Sequence, residues 1–227
     1  MQVTDERGRF VTFEGGEGAG KSTQLLDLRS RLEQRGLEVV STREPGGSPR
    51  AEAIRSVILA GAAERFGPFA ETLLFGAARA DHVATTIRPA LARGAVVLCD
   101  RFIDSTRVYQ GELGRTSHSV IAGLERLSCG DIAPDLTLVL DLPAEIGLAR
   151  AARRRVAKGE AADRFEREGL AYHEQVREAF LAIARAEPGR CRVVDANAPS
   201  FVVADRVWSE VARGLALADE VEAGCLG

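Results

Sequence analysis

The sequence predicts an α/β fold, a parallel sheet with helices on both faces, and three observations carry that prediction. Around Val11 and Phe13 an apolar strand breaks into a glycine-rich turn and then into an amphipathic stretch, TQLLDLRSRLEQRG. Further apolar β-runs follow at 37–42 (LEVVST), 95–100 (AVVLCD), 135–142 (DLTLVLDL) and 191–196 (CRVVDA), with helical stretches between them. At 227 residues the chain can bury one substantial core. A single domain over 1–227 is therefore expected.

The first strand and its turn read FVTFEGGEGAGKST. Gly15, Gly20, Lys21 and Ser22 fit the spacing G-x-x-x-x-G-K-[ST], in which backbone N–H groups converge on a phosphate. The segment Gly15, Gly16, Glu17, Gly18, Ala19, Gly20, Lys21, Ser22, Thr23 is thus a candidate nucleotide cradle. Lys21 would reach the β- and γ-phosphates, the Ser22 hydroxyl would ligate Mg²⁺, and the helix starting near Lys21 adds its positive dipole end. Glu17 is the exception in this cradle. Its carboxylate would be repelled by phosphates and is expected to turn outward.

The second strand runs into Arg43, Glu44, Pro45, Gly46 and Gly47, a charged turn in which Glu44–Pro45 is a candidate cis peptide because Arg43 must be presented to the cleft. In parallel sheets ligands bind beyond the carboxyl ends of strands. Asp100 and Arg101 close the run AVVLCD there. Asp100 is a candidate for holding Mg²⁺ and Arg101 for gripping a phosphate; a structural ion pair between them is the competing reading.

From Phe66 to Leu91 the spacing is helical, and Phe75 and Arg79 lie four apart on one face. They could stack on a base and bond its edge, although an aromatic there equally suits the core. A short helix is expected over 104–110 (DSTRVYQ), where Ser105, Thr106, Tyr109 and Gln110 offer polar groups to a base or sugar. Asp104 or Ser105 acting as a helix cap would explain some of them without a ligand. The run 149–168 gathers Arg153, Arg154, Arg155, Lys158 and Arg164. It reads either as a solvated helix face or as a flap, about 153–165, that closes over phosphates. Helices are expected again over 171–186 and 202–215, and the acidic tail 217–227 is expected to fray.

Composition narrows the partners. A net charge of −3 gives no basic field for a nucleic-acid polymer. The N-terminus lacks an apolar leader core and no segment is apolar enough to span a membrane, so a cytoplasmic protein is expected. Cys99, Cys129, Cys191 and Cys225 are widely spaced, His82, His118 and His173 are isolated, and both patterns argue against a zinc site. With one asparagine, Asn197, the chain has no N-K-x-D guanine motif.

Taken in order, the loop with Glu17, then TREPGG, FGAAR, DRFIDSTRVYQG and an arginine-rich segment ending in DRFE resemble the thymidylate kinase family, bacterial type, from about Phe10 to Ala216. The resemblance implies a nucleoside-monophosphate-kinase fold with a five-stranded parallel sheet. It also implies transfer of the γ-phosphate of ATP to dTMP, giving dTDP for dTTP synthesis, with Mg²⁺. On the matching positions it gives Arg43 and Arg101 to the dTMP phosphate, Phe75 to stacking on thymine, and Arg79 to the thymine edge. Thr106 would face the base, Tyr109 would lie near C2′ of the sugar, and Glu17 would bond the 3′-hydroxyl. Where Gly18 stands, some relatives have an arginine; bacterial-type members without it use a lid arginine, and Arg153 to Arg155 are the candidates, with Arg154 central among them. Relatives are usually homodimers. Another nucleoside-monophosphate kinase would share loop and lid, and Phe75, Arg79, Thr106 and Tyr109 are the residues that discriminate.

Overall fold

The structure is a computed structural model that describes residues 7–159 and 165–215. Strand β1 (Phe10–Glu14) is buried along its whole length because it lies in the middle of the sheet. β2 (Val39–Arg43), β3 (Val96–Asp100), β1, β4 (Leu136–Asp141) and β5 (Cys191–Asp195) stand side by side in that order, every neighbouring pair parallel. The expected five-stranded parallel sheet is thus observed.

With a side-chain period of two, β1 divides its residues between the two faces. Val11 and Phe13 pack with Leu25, Leu28 and Leu32 of α1 (Lys21–Glu33) and with Val203, Val207 and Val211 of α9 (Ser200–Gly214). Phe10 turns the other way, to Ile87, Leu91 and Phe102, and meets the Phe102 ring edge-on at 4.9 Å between centroids. Each such buried side chain contributes about 1.5–3 kcal/mol. That second face also carries Thr12, whose hydroxyl bonds Thr137 Oγ1 at 2.8 Å, and Glu14, a fully buried carboxylate at the carboxyl end of the central strand.

The stretch expected to be helical from 66 is a nearly continuous rod: α3 (Gly67–His82), a π-helical turn at Val83–Ile87, and α4 (Arg88–Ala92). At Gly76 the rod is crossed so closely by α6 (His118–Cys129) that a Cβ would stand 2.4 Å from Leu124 Cδ1. α6 and α2 (Pro49–Leu59) have no counterpart among the sequence expectations. For α2 the signal is present: Ser48 accepts a hydrogen bond from Ala51 N, and Pro49 occupies the first helical position.

The helix at 104–110 is a single α-turn, α5 (Ile103–Thr106), continued as a π-helical turn over Arg107–Leu113. Neither Asp104 nor Ser105 caps it. Asp104 is instead buried and gripped by Arg190, whose two terminal nitrogens donate to its carboxylate at 2.7 and 2.8 Å, while Arg107 donates at 3.2 Å. Arg190 also donates to Thr137 Oγ1 at 2.7 Å, so it ties α5 to β4. The helix α7 (Ala144–Lys158) carries Arg153, Arg154 and Arg155. Those arginines stand near the carboxyl end of that helix. Residues 160–164 with Arg164, and the tail 217–227 with Cys225, lie outside the described residues. The helix expected over 171–186 is α8 (Leu170–Ala186). Cys99, Cys129 and Cys191 are buried and unbridged.

The Arg190 clamp makes a stability prediction. Arg190→Ala leaves the Asp104 carboxylate buried with Arg107 alone, and should cost about 3 kcal/mol in urea unfolding.

Candidate active site

The loop after β1 is open at its helical end. Gly20 precedes α1 in the left-handed region, no side chain caps the helix, and no acidic residue stands in its first turn. Its first N–H groups are thus available to an anion. Gly15, at φ +131°, brings the loop so near β4 that a Cβ would sit 2.5 Å from the Leu140 carbonyl oxygen. Lys21 Nζ donates to the carbonyls of Gly15 at 3.1 Å and Gly16 at 2.8 Å. Burial and the neighbouring Arg101 pull its ammonium down to about 8. Ser22 Oγ donates to Asp100 Oδ2 at 2.5 Å, so the hydroxyl and the carboxylate singled out for a metal are side by side.

Sheet register brings the second group of residues to the same edge. Arg43 pairs with Asp100 across β2 and β3, and Asp100 with Phe13 across β3 and β1. Arg101 follows at φ +71°, a conformation that costs a non-glycine residue energy, and its N–H is held by the Phe13 carbonyl at 2.9 Å. Its guanidinium donates to Glu17 Oε1 at 2.6 Å and Ser105 Oγ at 3.2 Å, and lies 5.2 Å from the Tyr109 ring centroid. Glu17 thus turns to an arginine. Burial works against its ionisation, but Arg101, Lys21 and Arg154 outweigh it and hold the carboxyl near 2. The competing reading of Asp100 and Arg101 as a mutual ion pair does not hold, since Asp100 bonds Ser22 and Arg101 bonds Glu17.

At the far end α3 supplies Phe75 and Arg79. Arg79 is buried: Nε donates to Glu44 at 2.8 Å and Nη2 to Thr106 Oγ1 at 2.9 Å and the Phe102 carbonyl at 3.2 Å, while Nη1 has no hydrogen-bond partner. Glu44 also receives His82 Nδ1 at 3.0 Å, and the Glu44–Pro45 bond is cis. Arg43 pairs with Glu52 of α2 at 3.2 Å and keeps more than half its side chain exposed. Gln110 is buried, donating to Glu71 at 3.4 Å.

A cavity of about 430 Å³ joins these parts, lined by Glu17, Gly18, Gly20, Lys21, Ser22 and Thr23 of the loop, by Arg43, Asp100 and Arg101, by Phe75, Arg79, Thr106, Tyr109 and Gln110, and by Arg154 of α7, whose charge acts on Glu17. Gly15, Gly16 and Ala19 support the loop without lining it. The lining also includes Arg55 and Leu59 of α2 and Phe165, whose ring is 5.4 Å from that of Tyr109 and 6.5 Å from that of Phe75.

The residue that sequence reasoning missed is Glu14. It accepts from Phe102 N at 2.8 Å, Ser105 N at 3.2 Å and Ser105 Oγ at 2.7 Å, and Ser105 in turn accepts from Arg101. The signal was the one used for Asp100, an acid at the end of an apolar strand.

A family model described as thymidylate kinase matches residues 13–207. The chain belongs to the thymidylate kinase family. It is 59% identical over 206 residues to a thymidylate kinase of Rhodopseudomonas palustris strain TIE-1, covering 90% of this chain and 89% of the relative. It is 55% identical over 208 residues to one from Nitrobacter winogradskyi, covering 92% and 90%. A crystal structure of the thymidylate kinase from Ehrlichia chaffeensis superposes with a TM-score of 0.72 at 30% identity, covering 90% of this chain and 99% of that one. Family membership means ATP-dependent phosphorylation of dTMP to dTDP, and the cavity is the place in this chain where loop, strand ends and α3 meet.

Glu14 supplies a pH prediction. Burial, with the nearby Asp104, lifts its carboxyl to about 7 from 4.5, against hydrogen bonds and the charge of Arg101 that favour ionisation. Because the folded value lies above the unfolded one, its contribution to stability is fully present below the unfolded pKa and is lost as pH rises through the folded one. Between about pH 5 and pH 8 the wild type should lose stability relative to Glu14→Gln in paired urea titrations.

Proposed function

We propose that the cavity brings ATP and dTMP end to end, and that the γ-phosphoryl group passes directly between them. The bond from γ-phosphorus to the ADP oxygen breaks as one forms to a phosphate oxygen of dTMP, leaving ADP and dTDP. The acceptor oxygen is ionised at neutral pH, so the protein needs no strong base. Its work is alignment and neutralisation of charge. The observation that carries this reading is the single cavity with an uncapped loop and lysine at one end and an aromatic with a part-satisfied arginine at the other.

At the donor end the N–H groups from Gly15 to Thr23 cradle the ATP phosphates, and Lys21 reaches the β- and γ-oxygens. Ser22 and Asp100 are two adjacent hard oxygen donors of the kind Mg²⁺ takes; they would hold that ion, which neutralises phosphate charge. Between the two nucleotides Arg101 grips the dTMP phosphate with Arg43, and Arg154 on α7 faces the transferred group. At the acceptor end Phe75 stacks on thymine, and the unused Nη1 of Arg79 donates to the carbonyl edge. Thr106 and Gln110 border the base. Tyr109 packs against the sugar near C2′, and Glu17 accepts from the 3′-hydroxyl.

The protein works as a homodimer in the cytoplasm on this reading. Phe66, Phe69 and Leu73 repeat at helical spacing with exposures of 64%, 56% and 45%, beside Val57 of α2 at 44%; a second copy would cover that apolar face. Unbridged buried thiols fit a reducing compartment, and among the described residues no helix is long and apolar enough to cross a membrane.

A coupled assay of ADP release with dTMP, dUMP, AMP and GMP as acceptors tests the reading: dTMP should be preferred, and a preference for a purine acceptor would refute it. Lys21→Ala should lower turnover at least about 100-fold in a folded protein, checked by circular dichroism. Glu17→Ala should raise the KM for dTMP more than that for ATP; equal effects would remove Glu17 from the sugar.

A further inference from the structure

Helix α7 and the phosphate loop meet backbone to backbone at two glycines. A Cβ on Gly147 would stand 2.2 Å from the Glu17 carbonyl oxygen, and one on Gly18, at φ +67°, would stand 2.0 Å from the Gly147 carbonyl oxygen. Neither glycine can gain a side chain without the helix leaving the loop. Gly147 lies in the first turn of α7, where its own N–H donates to Pro143 O at 3.1 Å, so the displaced group would be the helix start itself.

The contact fixes a direction as well as a distance. An α-helix turns about 100° and rises about 1.5 Å per residue, so the seventh residue after a given one returns to within about 20° of the same line, about 10 Å further on. Seven residues after Gly147 stands Arg154. Arg153 and Arg155 project about 120° to one side and about 80° to the other. In agreement, Arg154 lines the cavity and its charge helps keep Glu17 ionised, whereas Arg153 and Arg155 are not part of the lining.

We propose that Gly147 is a positioning residue for phosphoryl transfer: by resting α7 on the Glu17–Gly18 peptide it aims Arg154, and not its two neighbours, at the nucleotide phosphates. The inference rests on the kinase reading above. Alanine is a better helix former than glycine, so Gly147→Ala is expected to fold and to express its cost in geometry.

The test compares kcat and KM for Gly147→Ala, Arg154→Ala and the double variant, with Arg153→Ala and Arg155→Ala alongside. Gly147→Ala should lower kcat about tenfold or more, since a displacement on the order of 1 Å can cost about that much, with the KM for dTMP within about threefold. The double variant should be no slower than Arg154→Ala. Full activity of Gly147→Ala, or penalties that multiply in the double variant, overturns the proposal. Should Gly147→Ala fail to fold, the arginine series decides: Arg154→Ala must be the damaging change, and a loss at Arg153 or Arg155 instead overturns it. If none of the three arginines matters while dTMP is still phosphorylated, the role of Arg154 falls and this inference with it. A wild type that phosphorylates no dTMP refutes the kinase reading itself.

Discussion

The 2.6 Å pair between Arg101 and Glu17 joins the two halves of the cavity, because one partner belongs to the loop after β1 and the other to the turn after β3. Arg101 reaches it only from a left-handed backbone. Such a conformation persists where its surroundings over-determine it, and here they do: the Phe13 carbonyl holds its N–H, while Glu14 binds Phe102 N on one side and Ser105 on the other. A buried acid in the central strand thereby shapes the turn, and through the Ser105 hydroxyl it is linked to the guanidinium itself.

Three of the arginines lining the cavity already have a carboxylate: Arg101 has Glu17, Arg79 has Glu44, Arg43 has Glu52. Buried charge without a partner is costly, so these pairs let a strongly cationic crevice exist in the folded chain. The three differ in exposure. The Arg79–Glu44 pair is almost fully enclosed and acts as framework, whereas Arg43 is largely exposed and can turn to a ligand at small cost. An enclosed, fixed pair and an exposed, adaptable one are in this way built from the same two residue types.

The sheet was legible because each strand is a continuous apolar run and the loop has a fixed spacing of glycine, lysine and serine. The place of Asp100 at a strand end beside the loop was legible too, although Glu14 shows that an acid in such a place can instead hold backbone. Three kinds of feature were not. Helix α2 is short and its apolar periodicity is weak, so only capping at Ser48 marked it, whereas α6 carries an apolar stripe but has no side-chain cap hydrogen bond at its start. Asp104 looked like a cap, but its partner Arg190 lies 86 residues away and nothing local announces it. Gly147 reads as an ordinary helix interior, and its meaning appears only when the Glu17 carbonyl is brought against it. Local chemistry could be read from sequence order, whereas pairings across the sheet could not.

Gly76 has a consequence of this kind. It sits between Phe75 and Arg79 on α3, and its bare backbone admits Leu124 of α6. The approach of α3 to α6 at this point is therefore set by a leucine that is not part of the cavity lining. Because Phe75 and Arg79 line the cavity and Leu124 does not, a change of size at position 124 would shift the helix that carries them while leaving every lining side chain as it is.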